Sequence, residues 1–213
     1  MSSWTIEGAL RRWLFAANVG VAVFLALPFL APVLLAAGYD GPANLIYTVY
    51  NAVCHQWAFR SYFLFGPELT YNHATLHGLI GEGGPFKFVG SPDLGYKVAF
   101  CERDVAIYAA VLVTGLVYGW RRGPSPGDVP GLSLTAYAIL IVPMAIDGFT
   151  QLFGWRESSV LLRTLTGTLF GAASVWLIYP RVDAIMARDL GPAAPRVPHA
   201  EHAPHPDSGV PAA

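Results

Sequence analysis

Residues 147–167, D-G-F-T-Q-L-F-G-W-R-E-S-S-V-L-L-R-T-L-T-G, decide how this chain folds. The stretch lies between long apolar runs, yet it contains an acid, an amide and an arginine: Asp147, Gln151 and Arg163. A bilayer tolerates such side chains poorly, so they usually face the interior of a helix bundle. The stretch therefore predicts a helical hairpin with its turn at residues 154–157, which returns Asp147 and Arg163 to the same depth.

The composition around the hairpin is that of an integral membrane protein. Of the 213 residues, 54% are hydrophobic and only 13% are charged, whereas soluble domains carry about 25% charged residues. Several apolar stretches are about 20 residues long, enough to cross a bilayer. The formal net charge of −1 gives no indication of a nucleic-acid partner. The expected partners are the lipid bilayer and, as an alternative, other membrane subunits.

The apolar runs predict an all-α fold, a polytopic bundle of four transmembrane helices plus an interfacial or re-entrant helix. We expect a membrane domain over residues 13–181, with spans at about 13–37, 98–120, 131–153 and 158–179. Residues 38–97 are expected to form an outer interfacial segment and loop. Residues 1–12 are expected to be a cytoplasmic lead, and residues 182–213 a cytoplasmic, mostly disordered tail.

The distribution of basic residues predicts the orientation, because cytoplasmic loops are enriched in Lys and Arg. Four spans with a cytoplasmic N-terminus place Arg11, Arg12, Arg121, Arg122, Arg181, Arg188 and Arg196 on the inner side. The apolar run 44–65 could itself cross, but the bias would then weaken. The chain is therefore expected in the cell membrane as a multi-pass protein with both termini in the cytoplasm.

Four charged residues on three predicted spans fall at one depth. Asp147, Arg163, Arg103 and Asp104 each lie five or six residues from an outer helix end, or about 8–9 Å at the helical rise. Gln151 shares the face of Asp147, and Thr166 and Gly167 share that of Arg163. We expect Asp147 or Asp104 to pair with Arg103 or Arg163. Such pairs build a site or only fix helix association.

A second group of residues could hold a metal or form a disulfide. Cys54 and Cys101 are the two cysteines, and both are expected on the non-cytoplasmic side, where disulfides are permitted. Alternatively, Cys54, His55, Cys101 and Asp104 would supply thiolate, imidazole and carboxylate ligands to a transition metal such as zinc. Unpaired thiols are the third reading. Tyr108 shares the helix face of Cys101 and Asp104.

Four ordered motifs resemble a known family. They are C-H-Q-x-x-x-R-S at 54–61 (with Gln56, Arg60 and Ser61), C-x-R at 101–103, D-G-x-T-Q at 147–151 (with Thr150) and R-x-x-T-G at 163–167. Over residues 45–180 the chain resembles small prokaryotic "predicted membrane proteins", a domain of unknown function. The resemblance implies a multi-span bundle with no assigned activity. C-x-R-C is usual there, and Asp104 replaces the last cysteine, which keeps a potential ligand and loses a disulfide partner.

Three functions are compatible with these residues. In the first, Asp147, Arg163, Arg103 and Gln151 are the candidate catalytic group, which binds a lipid headgroup, a quinone or a small substrate beside a metal or redox centre near the outer face. In the second, the chain is a structural or accessory subunit whose polar residues serve folding. The third, a small transporter, is weakened because no inverted repeat is visible. Whether the chain is an enzyme stays open at this point.

Overall fold

A computed structural model describes residues 3–82, 84–123 and 129–190. The helices are α1 (Ser3–Ala36), α2 (Asp40–Tyr50), α3 (His73–Ile80), α4 (Gly84–Lys87), α5 (Glu102–Arg122), α6 (Leu134–Leu152) and α7 (Val160–Leu190). The strands are β1 (Ser61–Leu64), β2 (Gly90–Ser91) and β3 (Gly95–Cys101), and a 3-10 turn covers Ala58–Arg60. Within these described ranges, three segments are long and apolar enough to cross a membrane: Arg12–Ala36, Leu134–Leu152 and Val160–Arg188.

The prediction of a purely all-α fold was wrong, because a small sheet covers one end of the helices. β3 is its central strand and pairs antiparallel with β1 on one side and β2 on the other. The chain between β2 and β3 reverses at Gly95, which has a φ of +81°, in the left-handed region that glycine adopts freely. The stretch expected to be an outer loop thus contains α3, α4, β2 and the start of β3.

The helix expected from residue 98 begins at residue 102. Val98, Ala99 and Phe100 are fully buried strand residues, and their apolar run was attributed to the following span. A short apolar run at a helix start does not distinguish a buried strand from the helix itself. The boundary is set by Cys101, whose Sγ accepts a hydrogen bond from the Asp104 backbone N–H as the N-cap of α5. The run 44–65 is likewise divided among α2, the 3-10 turn and β1.

Glycines bring α5 and α7 into close parallel contact. A Cβ on Gly167 would lie 2.9 Å from the carbonyl oxygen of Arg103, and one on Gly171 would approach the Ile107 carbonyl more closely still. Small residues at such spacing let helix backbones approach inside a membrane. α1 packs antiparallel to α5, with Asn18 against Gly115. The three helices α1, α5 and α7 therefore form the centre of the bundle.

A buried polar cluster joins these three helices at the end remote from the sheet. The Asp183 carboxylate forms an ion pair with Arg122 and accepts hydrogen bonds from Tyr118 Oη at 2.7 Å and Trp13 Nε1 at 3.0 Å. Asp183 is fully buried. The mostly disordered tail was expected over residues 182–213, and the first part of this stretch, as far as Leu190, belongs to α7. The rest of that tail, residues 191–213, lies outside the described residues.

Helix α6 lies at the edge of the bundle. Asp147 is its only buried residue among those described. Large apolar side chains on its remaining surface are exposed, among them Ile139, Val142, Ile146 and Phe149. An apolar helix with a single buried carboxylate is held by the partners of that carboxylate and by its contact with α7. The position of Asp147 therefore decides how α6 meets the other helices.

The glycine contact between α5 and α7 can be tested with a single methyl group. We expect Gly171→Ala to cost about 1–3 kcal/mol, because the added Cβ overlaps the backbone of α5 and neither backbone can move freely. The apparent melting temperature in detergent should fall accordingly. Gly20→Ala is the matched control, because a Cβ on Gly20 in α1 meets no atom within 4 Å. Equal melting temperatures for the two variants would contradict the close contact.

Candidate functional site

Three potential metal ligands converge at the start of α5. The Sγ atoms of Cys54 and Cys101 and a carboxylate oxygen of Asp104 all lie within 4.8 Å of one another. Both cysteines are free thiols, and the Cys101 thiol donates to Asp104 Oδ2 at 3.2 Å. The three residues come from two elements far apart in sequence, the segment after α2 and the β3–α5 junction. The fold thus brings together three of the four predicted ligands.

The Cys54 sulfur is held by backbone amides. The N–H groups of Gln56 and Cys101 donate to its Sγ at 3.4 and 3.3 Å. Gln56 has a φ of +51°, which turns the chain sharply after the cysteine. Its side-chain Nε2 donates to the Tyr47 carbonyl at 2.8 Å, and its own carbonyl accepts from Lys97 Nζ at 2.6 Å. These bonds fix the Cys54 segment against β3.

Lys97 is itself a buried cation in β3, which belongs to the cap, the segment between α2 and α5 that contains the sheet. Its side chain is only 4% exposed, and burial lowers its pKa to about 8. The ammonium group is anchored by the Gln56 carbonyl, and Tyr47 Oη donates to the Lys97 carbonyl at 2.5 Å. Sequence reasoning missed Lys97, because a lysine just before an apolar run was counted as a flanking charge. Its role is to tie α2, the Cys54 segment and β3 together.

His55 stands apart from the three ligands. The side chain is exposed, and its ring packs edge-on against Trp57 with centroids 5.8 Å apart. It is not part of the Cys54–Cys101–Asp104 group. Because Cys54 is directed inward, the next side chain on this extended segment is directed outward.

A cavity of about 400 Å³ lies beside the ligands. Apolar side chains such as Val53, Ile107 and Met144 complete its wall. Its lining includes eight residues from the two predicted groups: Cys54, His55, Gln56, Arg60, Cys101, Arg103, Asp104 and Gln151. The thiols and the polar cluster, predicted separately, therefore face one space.

Asp147 is the centre of the polar group. Its carboxylate, 1% exposed, forms ion pairs with Arg103 from α5 and with Arg156, whose Nη2 lies 2.5 Å from Oδ1. Ser158 Oγ and Gln151 Nε2 donate to Oδ2, each at 3.1 Å. One carboxylate thus joins α5, α6 and the α6–α7 turn. Arg156 and Ser158 were not predicted as partners of Asp147, because residues 154–157 were expected only to form the turn of the hairpin.

Arg163 has a different partner from the ones expected. Its Nη1 donates to Glu102 Oε2 at 2.7 Å, and both side chains are buried. This pair joins α5 to α7 and lines a separate cavity of about 410 Å³ together with Ser158. Glu102 was missed although it lies between Cys101 and Arg103. A buried arginine requires an acid at its own depth, and Glu102 was the third acid available there.

The remaining predicted residues support the two groups. Arg60 stacks over Trp57 at 4.4 Å, and burial, followed by the nearby charge of Arg163, lowers its pKa. Tyr108 stacks on Phe100 with centroids 5.4 Å apart. The hydroxyls of Ser61, Thr150 and Thr166 donate to backbone carbonyls of Trp57, Ile146 and Leu162, respectively. Gly167 provides the close contact with α5 described above.

Several buried polar atoms of the cavity residues have no partner. Within the part of the chain that the structure describes, Nε of Arg60, Nε of Arg103 and Oε1 of Gln151 form no hydrogen bond. Buried polar atoms are nearly always bonded, and each exception needs an explanation. Three such atoms on residues that line one cavity indicate a place where a polar ligand would be bound.

Comparison with known proteins agrees with a membrane protein. Residues 94–177 match the family described as "Predicted membrane protein (DUF2085)". An uncharacterized protein of Methanocaldococcus jannaschii is 28% identical over 176 residues, which cover 80% of this chain and 93% of the relative. An uncharacterized protein of Methanothermobacter thermautotrophicus is 34% identical over 73 residues, or 34% of this chain and 62% of the relative. No solved structure matches.

These matches place the chain in the class of predicted membrane proteins that associate with the lipid bilayer. The segment that matches this family contains the C-x-R, D-G-x-T-Q and R-x-x-T-G motifs of the chain. The resemblance predicted from the motifs is therefore confirmed.

Mutation of Asp147 is expected to destabilise the protein strongly, and this loss is expected to depend on Arg103. Asp147→Asn should cost about 3–5 kcal/mol, because Arg103 and Arg156 both lose their carboxylate partner while Arg103 stays largely buried. Asp93→Asn is the control, because Asp93 is an exposed acid in the turn between β2 and β3. It should leave the melting temperature unchanged. The measurement is the apparent melting temperature in detergent. A double variant Asp147→Asn/Arg103→Gln should be less destabilised than the sum of the single changes. Additive losses would contradict the coupling.

Proposed function

We propose that the chain is a four-span membrane protein whose outer-face cavity holds a transition metal such as zinc on Cys54, Cys101 and Asp104. The observation that carries the proposal is the convergence of the three ligand atoms to within 4.8 Å of one another. A tetrahedral site with metal–sulfur bonds of about 2.3 Å requires sulfur atoms about 3.8 Å apart. The ligand spacing is compatible with that geometry after small adjustments of the side chains.

The site has the form of a centre that acts on a ligand. Three protein ligands leave the fourth position of a tetrahedral metal free, as in catalytic zinc sites. The cavity borders the same three residues and would give a ligand access to that position. A metal there would polarise an oxygen atom of the bound ligand. Arg103 and Gln151, which line the same cavity, would hold the polar part of the ligand.

Asp147 and Arg163 are positioning residues in this proposal. Asp147 holds Arg103 by an ion pair and Gln151 by a hydrogen bond. Arg163 holds Glu102, which lies between Cys101 and Arg103 in the first turn of α5. Neither Asp147 nor Arg163 lines the cavity beside the thiols. Their expected contribution is to fix the residues that do.

The course of α5 beside α7 supports a fourth span. The two helices run parallel, in contact at Arg103 and Gly167 near one end and joined by the Arg122–Asp183 pair near the other. At 1.5 Å per residue, the 21 residues of α5 reach about 31 Å, the thickness of the hydrocarbon core. The acidic and basic residues of α5 lie in its first and last turns. If α7 crosses the membrane, α5 crosses beside it.

The basic residues support a cytoplasmic location for both termini. Arg12, Arg121, Arg122, Arg181 and Arg188 lie at the end of the bundle opposite the sheet, and positive residues are retained on the cytoplasmic side. The sheet, the thiols and the cavity would then be at the outer face.

Metal content is the direct test of the proposed centre. Protein purified under reducing conditions should carry about one zinc per chain by elemental analysis. Cys54→Ser and Cys101→Ser should each abolish binding, because each removes one of the two thiolate ligands, which bind zinc far more strongly than a hydroxyl does. Asp104→Ala should weaken it about tenfold or more. Asp104→Cys should retain it.

His55→Ala is the control for this experiment, because His55 borders the cavity but lies outside the ligand group. It should leave the zinc content unchanged. The wild type could instead contain almost no zinc, with both cysteines unreactive towards a thiol reagent until they are reduced. That result would contradict the metal centre and show that Cys54 and Cys101 form a disulfide.

Labelling of single cysteines tests the four-span topology. In a Cys54→Ala/Cys101→Ala background, Glu82→Cys should react with a membrane-impermeant maleimide in intact cells. Arg121→Cys should react only after permeabilisation, because α5 carries the chain across the bilayer between these exposed positions. Reaction of both variants in intact cells would place them on one side and exclude α5 as a span.

A further inference from the structure

We propose that the cavity takes the acidic headgroup of a bilayer lipid and that an acyl chain of this lipid lies in an apolar groove along α6. The inference rests on the proposed function and names the ligand class of the same site. It depends on three features: the continuity of cavity and groove, the length of the groove, and the charge of the residues around the cavity.

The groove is contiguous with the cavity. It has a volume of about 330 Å³, and its far part is lined by Ile141, Ala145, Phe149 and Phe170. Its near part shares Arg103, Met144, Gly148 and Leu152 with the cavity. Gly148 lies where the two spaces meet, and a Cβ there would come within 3.7 Å of Arg103 Nη1. The site is therefore polar at one end and apolar at the other.

The groove has the length of one bilayer leaflet. From Leu152 at the outer end of α6 to Ile141, eleven residues of helix rise about 16 Å, close to half of the hydrocarbon core of about 30 Å. On α7, Phe170 is ten residues below Val160, at about the same depth. Since α6 is exposed over most of its surface, the groove opens sideways towards the bilayer. An acyl chain could enter it without leaving the membrane.

The charge around the cavity favours an acid. Two guanidinium groups, Arg60 and Arg103, and one carboxylate, Asp104, line the cavity, so the lining carries one excess positive charge. A divalent metal bound with loss of two thiol protons leaves this balance unchanged. Asp147 already forms ion pairs with both Arg103 and Arg156. A neutral headgroup or a quinone would leave the excess charge without a partner.

Arg60 carries that excess charge. Among the residues that the structure describes, it forms no ion pair, and its guanidinium group instead stacks over Trp57. Its Nε has no hydrogen-bond partner, and neither has Nε of Arg103 on the same lining. Arginine donors suit the oxygens of phosphate and carboxylate groups. Tryptophan is enriched at the headgroup level of the bilayer, so Trp57 and Arg60 fit a headgroup at this depth.

The test measures lipid binding to detergent-solubilised, zinc-loaded full-length protein by native mass spectrometry. The probes are dioleoylphosphatidylglycerol, dioleoylphosphatidylcholine and glycerol 3-phosphate, which represent the acidic lipid, the neutral lipid and the headgroup alone. One phosphatidylglycerol should bind in preference to phosphatidylcholine. Arg60→Gln should weaken its binding about tenfold, because a charge-assisted hydrogen bond is lost.

Two matched pairs separate the headgroup from the chain. Lys87→Gln removes an equal charge from an exposed cap residue that does not line the cavity, and it should bind lipid as the wild type does. Ala145→Trp should fill the groove and abolish binding. Ala138→Trp adds the same bulk to exposed α6 surface outside the groove and should have no effect.

Other results overturn the inference in distinct ways. Equal binding of phosphatidylcholine excludes an acidic headgroup, and glycerol 3-phosphate as strong as the lipid excludes a role for the groove. If the protein binds no lipid but forms a dimer that Ala145→Trp disrupts, the groove is the contact surface for a second copy of the chain. Zinc is measured in the same samples. Bound zinc without lipid selectivity would support the metal centre and contradict the lipid site. Lipid selectivity without bound zinc would contradict the metal centre and leave the lipid site intact.

Discussion

The carboxylate of Asp147 is the constraint on which the site depends. Among the residues that the structure describes, it is the only buried one of α6, and it joins that helix to Arg103 of α5 and to Arg156 of the hairpin turn. Without it, an apolar helix at the edge of the bundle has little to fix its rotation. Because Arg103 and Gln151 border the cavity, the same bonds that hold α6 also define one wall of the site. Stability and cavity shape therefore have a common origin here.

A second constraint comes from the cap, the segment between α2 and α5 that contains the sheet. The Cys54 segment is fixed to β3 by Lys97 and Gln56, and β3 leads directly into α5 through Cys101. The sheet that contradicts an all-helical fold is thus the element that brings Cys54 to Cys101. A loop without strands would not hold a residue after α2 in register with the first turn of α5. The Cys54 segment and the end of β3 supply the thiols, α5 supplies Arg103, and α6 supplies Gln151.

The sequence could reveal the depth at which the charged residues lie in the helices, but not which of them form ion pairs with one another. Charges in apolar runs must be compensated, so Asp147, Arg103 and Arg163 were identifiable from their positions. The choice of Glu102 for Arg163 depends on the rotation of α5 and α7 about their axes, which the Gly167 and Gly171 contacts set. β3 could not be distinguished from a helix start, because Val98–Phe100 is apolar on both faces. Asp183 was assigned to a tail, since its partners Trp13, Tyr118 and Arg122 lie in other helices.

The two amide donors to the Cys54 sulfur have a kinetic consequence. The N–H groups of Gln56 and Cys101 already surround this atom, and they belong to backbone that the sheet and Gln56 side chain hold still. Amides so placed stabilise a thiolate once its proton is lost. An incoming ion would meet a sulfur that needs no rearrangement of the chain. If the proposed metal centre exists, the speed of loading would depend on diffusion through the cavity, which Arg60 lines, and the positive charge of Arg60 would repel cations and slow their arrival.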